Sequence, residues 1–209
     1  MTLIRRTARR IFIASAALLT LFSVTLLLFL LPPLVHLFLD LTDAAERLSV
    51  TNAVAHGISD ALVQDLLLGG TFEVTLNGAL LLSASERSHL ADVSGIFRLL
   101  IGVGAFALLL LVWLYMSMRN VFLQGLHDGA LMLGAAALIV GGAFAISFDA
   151  TFTLFHELLF PAGTWTFNPA TDRLVQLYPI NFWALVAMSF CAVLVCAALV
   201  AFLVSRRRP

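Results

Sequence analysis

Two histidines in this chain stand beside carboxylates. His89 lies between Glu86 and Asp92, and His156 is followed directly by Glu157. Histidine is the usual general base near neutral pH, and a carboxylate can fix the tautomer of its ring. The pattern predicts a general acid–base site if folding brings the two rings together. A single histidine near a membrane boundary is more often structural, so the prediction depends on where the two segments lie.

The other histidines are weaker candidates. His36 and His56 have fewer carboxylates close in sequence, and His127 is predicted to lie on the opposite side of the membrane. A metal site is the alternative use of such residues, because the spacing of Glu86 and His89 occurs in carboxylate metal sites. The zinc-protease helix pattern that begins at His156 lacks its second histidine. The sequence also has no P-loop and no dinucleotide-binding glycine pattern, so we predict neither metal nor cofactor.

The composition is that of an integral membrane protein. Of the 209 residues, 61% are hydrophobic and only 11% are charged, which leaves too few charges to cover a soluble fold. The formal net charge is zero. This balance offers no basic surface for nucleic acid, so we expect no nucleic-acid partner.

Four apolar runs are long enough to cross a bilayer. They cover about residues 11–31, 96–116, 129–148 and 181–204, and about 20 helical residues span a hydrocarbon core of about 30 Å. The sequence therefore predicts an all-α membrane fold, a four-transmembrane-helix bundle formed by a single domain over 1–209. The third run is rich in small residues, which allow close helix contact in lipid: Ala130, Gly134, Ala137, Gly141 and Gly142.

The arginines predict the orientation. With the N-terminus inside, eight arginines are cytoplasmic (Arg5, Arg6, Arg9, Arg10, Arg119, Arg206, Arg207, Arg208) and four are outside (Arg47, Arg87, Arg98, Arg173). This asymmetry fits the positive-inside rule. Both termini are then cytoplasmic, and the segments 32–95 and 149–180 are extracytoplasmic. His89 and His156 are therefore predicted on the same face, each just outside a helix end.

The first outer segment has two further signals. The apolar spacing of Val50–Leu68 is typical of a helix lying on the membrane surface, and Gly69-Gly70 ends it. Phe72–Leu76 alternates, and the Asn77-Gly78 pair after it is a strong turn signal, so a small β-hairpin is predicted. In the second outer segment, Phe148–Pro179, aromatic residues gather near the membrane boundary, where they form either a headgroup-level belt or the wall of a site.

Four motifs in the two outer segments resemble those of a known family. They are SHLADV at Ser88–Val93, FHELLF at Phe155–Phe160, WTFNPATDRL at Trp165–Leu174 and YPINFW at Tyr178–Trp183. Together they resemble the small bacterial four-helix membrane proteins of the lipoprotein intramolecular transacylase (Lit) family. The resemblance covers nearly the whole chain in length and span order, but residues 40–83 do not carry it.

The resemblance implies an activity. Members of this family move the sn-2 acyl chain of a diacylglyceryl-modified lipoprotein to the α-amine of its N-terminal cysteine, which gives an N-acyl, S-monoacylglyceryl (lyso) lipoprotein. It implies that the partners are this lipoprotein and membrane lipid, and that the protein sits in the bacterial cytoplasmic membrane with its site facing outward. The family's two histidines correspond to His89 and His156. Leu159, Asn168 and Ile180-Asn181 depart from the family pattern, and these departures bear on substrate preference.

The hypothesis assigns roles to the matching residues. His89 acts as base, oriented by Glu86 or Asp92, and His156 polarises the ester or protonates the leaving oxygen, although the two roles are exchangeable. Glu157 supports His156, and three residues are expected to shape the loop over the site: Trp165, Asp172 and Tyr178. Two alternatives remain open, a non-catalytic membrane scaffold or lipid-binding protein and a metal-dependent membrane lipid hydrolase.

Overall fold

The computed structural model describes residues 3–206, so Arg207 and Arg208 of the closing arginine cluster lie outside the described residues. The described chain is almost entirely helical. Its elements in order are α1 (Leu3–Leu28), α2 (Pro32–Leu41), α3 (Ala44–Leu48), α4 (Asn52–Leu68), β1 (Thr75–Leu76), β2 (Ala79–Leu80), α5 (Ala84–Ser117), α6 (Arg119–Ile146), α7 (Phe148–Leu159), α8 (Arg173–Leu177) and α9 (Ile180–Arg206).

Four helices are long and apolar enough to cross a membrane, namely α1, α5, α6 and α9. This confirms the predicted all-α membrane fold with four spans. The helix α5 has 34 residues and is therefore about 50 Å long at 1.5 Å per residue. Because a hydrocarbon core is only about 30 Å thick, several turns of α5 extend beyond it.

The described chain divides into two compact units. The first contains the described parts of Met1–Leu27, Leu100–Ala145 and Met188–Pro209. Small residues of α6 allow close helix contacts here: a Cβ on Gly129 would lie 2.7 Å from the carbonyl oxygen of Ala14, and one on Gly141 would lie 3.1 Å from Cβ of Cys191. The predicted close contacts of the third span are therefore present, although Gly142 faces open space.

The cytoplasmic loop predicted between the second and third spans is helical instead. Only Met118 separates α5 from α6, so Arg119, His127 and Asp128 all lie within α6. Arg10 of α1 binds Asp128 through two hydrogen bonds, from Nε to Oδ2 at 2.9 Å and from a terminal nitrogen to Oδ1 at 2.8 Å. The N-terminal arginine cluster and Asp128 therefore lie at the same end of this unit, as the predicted orientation requires.

The second unit contains Leu28–Leu99 and Ile146–Ala187. Pro32 and Pro33, which directly follow the first apolar run, begin α2, where proline fits because its missing N–H has no helical partner. The predicted helix at 50–68 is confirmed as α4, with Thr51 as its N-cap and Gly69, at φ +76°, as its C-cap. The apolar face of α4 packs against α2 and α3, and α3 also contacts α8. The apolar face of α4, predicted to lie on the membrane surface, is therefore covered by α2 and α3 instead.

The predicted small hairpin is also present in this unit. Thr75 pairs with Leu80 and Leu76 with Ala79, and both turn residues have positive φ, 52° for Asn77 and 80° for Gly78. Positive φ at both central positions is the conformation that an Asn-Gly pair adopts in a two-residue hairpin turn.

The second outer segment is more ordered than the sequence indicated. Ser147 interrupts the helix after α6, and the chain resumes as the 12-residue helix α7, in which His156 is buried. Three apolar residues close to His156 in the sequence of α7 are exposed, at 55% for Leu154, 47% for Phe155 and 74% for Leu158. After a loop, the short helix α8 leads into α9. In this unit α5 carries His89 and α7 carries His156.

Candidate active site

His89 lies in the second turn of α5, within the helix rather than before it. A reciprocal capping box begins this helix: the Ser83 amide donates to Glu86 Oε2 at 2.7 Å, and the Glu86 amide donates to Ser83 Oγ at 3.3 Å. The His89 side chain is 7% exposed. Its ring packs edge-on against Phe160, at a centroid distance of 4.9 Å, and against Phe167 at 5.6 Å.

His156 lies in the last turn of α7 and is 8% exposed. Its Nδ1 lies 2.8 Å from the carbonyl oxygen of Phe152, one turn earlier. A carbonyl oxygen only accepts hydrogen bonds, so Nδ1 carries the proton and Nε2 of the neutral ring is left as an acceptor. Burial lowers the pKa of His156 below its ordinary 6.5, and the bond to Phe152 partly offsets this effect. The ring is therefore neutral at pH 7, with a lone pair on Nε2.

The structure brings the two histidines together. Their ring centroids are 6.1 Å apart and their planes differ by 30°. Rings at this separation are close enough for both to bind groups attached to the same reacting carbon. Two imidazolium charges at this separation would repel each other in a buried site, which favours neutral rings.

Glu86 does not orient His89. Its side chain is 1% exposed, and besides the Ser83 amide at Oε2 it accepts the Leu174 amide at Oε1, at 2.6 Å. Both carboxylate oxygens are thus occupied by backbone amides, one at the start of α5 and the other in α8. Glu86 therefore anchors α8 to the helix that carries His89.

The other two carboxylates lie at the edge of the site. Asp92 is exposed one helical turn beyond His89, and its charge acts on the His89 ring. Glu157 is exposed on α7, and the Phe152 carbonyl takes the position at Nδ1 that a carboxylate was expected to fill. The tautomer of His156 is therefore set by the backbone of its own helix. Among residues 3–206, no group of three His, Cys, Asp or Glu side chains is placed to bind a metal ion.

The three expected loop residues have different positions. Trp165 stacks on His156 at a centroid distance of 4.9 Å. Asp172 closes a turn in the loop, since its Oδ2 accepts the Asn168 amide at 2.6 Å. Tyr178 is buried away from the two rings, and its hydroxyl lies 2.8 Å from Oγ of Ser59 on α4. Burial raises the pKa of Tyr178 far above its usual value, so the phenol stays neutral.

Three phenylalanines of the site were not identified from the sequence as site residues. Phe152 and Phe160 stand four residues before and after His156, and their ring centroids lie 4.1 Å and 5.4 Å from its own. Phe152 shares a face of α7 with His156 through its i−4 spacing, a signal that the sequence does contain, and Phe160 is the residue that caps this helix. Phe167, assigned to the aromatic group at the membrane boundary, packs instead on His89. The aromatic enclosure keeps water from the rings and produces the burial that lowers the pKa of His156.

The fold and the site together define an integral membrane protein with four spans and a buried pair of histidines. The sequence profile of the family described as lipoprotein intramolecular transacylase Lit matches residues 10–183. The chain therefore belongs to the Lit family, which confirms the resemblance seen in its motifs and makes it an enzyme of acyl transfer.

Solved structures agree in fold. The in meso structure of the membrane-integral lipoprotein intramolecular transacylase Lit from Bacillus cereus is similar over 98% of this chain and 96% of that one, with a TM-score of 0.83 and 19% identity. Two forms of the same protein, with one histidine changed to arginine or alanine, give TM-scores of 0.75 at 18% identity. They cover 97% of this chain and 91% and 92% of theirs. No curated protein sequence matches this chain significantly.

Proposed function

We propose that this protein moves the sn-2 acyl chain of a diacylglyceryl-modified lipoprotein onto the α-amine of the lipoprotein's N-terminal cysteine, with His156 as the general base and His89 bound to the glyceryl oxygen. The observation that carries this assignment is the bond from His156 Nδ1 to the Phe152 carbonyl, in a ring 6.1 Å from that of His89. Of the two exchangeable roles, it supports the one in which His156 is the base.

The reaction needs a base with a free lone pair. The amine must lose a proton as it attacks the ester carbonyl carbon, and a neutral imidazole with an unprotonated Nε2 accepts that proton. His156 is held in this tautomer before substrate binds. The lowered pKa of His156 keeps the ring neutral at the pH at which the amine itself begins to deprotonate.

One proton moves in the complete reaction. The amine nitrogen forms a bond to the carbonyl carbon, and His156 takes a proton from that nitrogen. The bond between the carbon and the glyceryl oxygen then breaks, and the His156 imidazolium gives the same proton to this oxygen. A ring N–H of His89 donates a hydrogen bond to the glyceryl oxygen while it leaves. The products are an amide and a glyceryl hydroxyl, and both histidines return to their starting state.

A covalent acyl-enzyme is unnecessary in this scheme. The amine and the ester belong to one molecule, so correct positioning makes the attack intramolecular and removes much of the entropic barrier. Aromatic side chains pack on the two rings: Phe152, Phe155, Phe160 and Trp165 at His156, and Phe160 and Phe167 at His89. Such a surface positions an apolar glyceride.

The exposed face of α7 provides a route for a lipid-anchored substrate. Leu154, Phe155 and Leu158 are exposed around the His156 turn, and an apolar helix face of this kind inserts at the boundary between headgroups and acyl chains. With the orientation predicted by the arginines, this boundary belongs to the extracytoplasmic side of the bacterial cytoplasmic membrane. The ester of an anchored lipoprotein lies at the same depth.

The test is conversion of a defined lipoprotein. The protein is expressed in a bacterium that lacks N-terminal lipoprotein acylation, and the N-terminal peptide of one lipoprotein is analysed by mass spectrometry. We expect an unchanged total mass, with one acyl chain moved from glycerol to the amine. An N-terminus identical with and without the protein would indicate a non-catalytic scaffold. Release of free fatty acid that a chelator abolishes would indicate a metal-dependent hydrolase, and either result would contradict the proposal.

A further inference from the structure

The site contains a hydrogen-bond donor with no acceptor. Nε1 of Trp165 is buried and has no hydrogen-bond partner among the described residues. An indole N–H only donates, so unlike a histidine nitrogen it cannot be satisfied by a change of tautomer. Buried polar groups are nearly always paired, so a buried donor with no protein partner is suited to bind a group that enters the site. For an indole N–H that group must be an acceptor.

The position of this donor relates it to the proposed base. The Trp165 ring lies against the His156 ring at a centroid distance of 4.9 Å, with the planes tilted by 37°. An amine bound to His156 attacks an ester carbon within a few ångströms of that ring, and Trp165 contacts the same ring. The carbonyl oxygen on that carbon is an acceptor, and it gains negative charge as the tetrahedral intermediate forms.

Other polar groups of the same loop are already occupied. The Thr164 hydroxyl donates to the Pro161 carbonyl at 2.9 Å, and the Asn168 side-chain oxygen accepts the Ala170 amide at 3.0 Å. The Trp165 N–H therefore remains as a fixed and uncommitted donor beside His156.

We propose that Trp165 is a catalytic residue whose Nε1–H donates a hydrogen bond to the carbonyl oxygen of the transferred acyl group and stabilises the oxyanion. This inference rests on the proposed transacylase function. A donor aimed at a developing oxyanion, in a site from which water is excluded, acts more strongly in the transition state than on the ground-state ester. Removing it therefore lowers kcat much more than it raises KM.

Two substitutions test this role in purified full-length protein with a diacylglyceryl lipopeptide. Trp165→Phe keeps an aromatic ring against His156 and removes the N–H. Replacement of Trp165 by benzothienylalanine keeps the bicyclic shape and changes the N–H to sulfur. We expect kcat to fall about 10²- to 10³-fold in both, with KM within about threefold of wild type, as for the loss of one oxyanion donor. Trp113→Phe, at an exposed position of α5 in the other unit, is the matched control and keeps wild-type kcat.

The outcomes separate this inference from the proposed function. Wild-type conversion in the same assay tests the function itself. If wild type is active and the benzothienylalanine protein keeps kcat within about threefold, Trp165 acts only by packing and the inference is wrong, whatever Trp165→Phe does. A rise in KM alone, with kcat unchanged, overturns it as well. A fall of kcat in the benzothienylalanine protein at unchanged thermal stability supports it.

Discussion

The second unit contains two pairs of neighbouring histidines that differ in how their ring nitrogens are used. The rings of His36 and His56 stack at a centroid distance of 4.1 Å with planes 2° apart. Each Nε2 lies 2.8 Å from a carboxylate oxygen, of Asp60 for His36 and of Asp40 for His56. These side chains are 25% and 22% exposed. This pair ties α2 to α4.

Among the described residues, no carboxylate bonds to the rings of His89 and His156. Aromatic residues enclose these rings, Nδ1 of His89 has no partner in the described part of the chain, and Nδ1 of His156 bonds to its own helix. The carboxylates at His36 and His56 join two helices, whereas the second pair keeps ring nitrogens that a substrate group can bind. The sequence predicted carboxylate partners for His89 and His156, and the structure instead shows them at His36 and His56. Each of these two histidines binds a carboxylate of the other helix.

Substituting the histidines of each pair should give the largest effect that separates the two pairs. We expect His156→Ala, and His89→Ala likewise, to reduce conversion of a diacylglyceryl lipopeptide by about 10²- to 10⁴-fold, because general acid–base catalysis contributes that range. His36→Gln and His56→Gln are the matched controls, and their rates should stay within about threefold of wild type. Mass spectrometry of the N-terminal peptide measures all four. Equal losses in both pairs would show that the proposed distinction is wrong.

The pH dependence of kcat/KM tests the environment of His156. The substrate amine, with an ordinary pKa of about 7.7 to 8.0, titrates first, so log kcat/KM should fall with a slope of one as pH drops below about 7.5. Burial lowers the pKa of His156 from 6.5, so the ring is protonated only at lower pH. The slope should therefore reach two only below pH 6.5. Steepening above pH 6.5 would mean that the ring is not shielded from water.

Glu86→Gln tests the contact by which Glu86 holds α8 against the start of α5. The amide side chain offers one oxygen, so it cannot accept from both Ser83 and Leu174, and a buried backbone N–H is left unpaired at a cost of about 1–3 kcal/mol. We expect a lower melting temperature and a kcat reduced by about tenfold, because α8 is then no longer held in position against α5. Glu73→Gln, at an exposed glutamate of the same unit, should change neither. An unchanged melting temperature of Glu86→Gln would show that Glu86 does not anchor α8.

Tyr178→Phe should have the smallest effect. It removes the buried hydrogen bond to Ser59, worth about 1 kcal/mol of unfolding free energy, and leaves kcat within about twofold because Tyr178 does not contact the histidine rings. A double-mutant cycle with Ser59→Ala, followed by thermal unfolding in detergent, measures the coupling. A large fall in kcat without loss of stability would assign Tyr178 to the site after all.

Much of the architecture was predictable from local patterns. Apolar length indicated the four spans, the Asn77-Gly78 pair indicated the hairpin, and the spacing after Val50 indicated α4. The helix α7 was not predicted. It directly follows a long apolar run and precedes several prolines, so the whole of Phe148–Pro179 was interpreted as a loop between two spans. The family motifs pointed to His89 and His156 but not to their partners, since those partners lie on other elements or on the backbone.

The sequence by itself determined the membrane class, the number of spans, the family and the choice of His89 and His156 as candidates, because each follows from composition or from a short contiguous motif. Only the tertiary structure decided which groups surround those residues. It placed the Glu86 carboxylate on two backbone amides, set the tautomer of His156 through the Phe152 carbonyl, and left the Trp165 N–H buried without an acceptor among the described residues. Hydrogen-bond partners and burial depend on groups from distant parts of the chain, and spacing along the chain does not specify them.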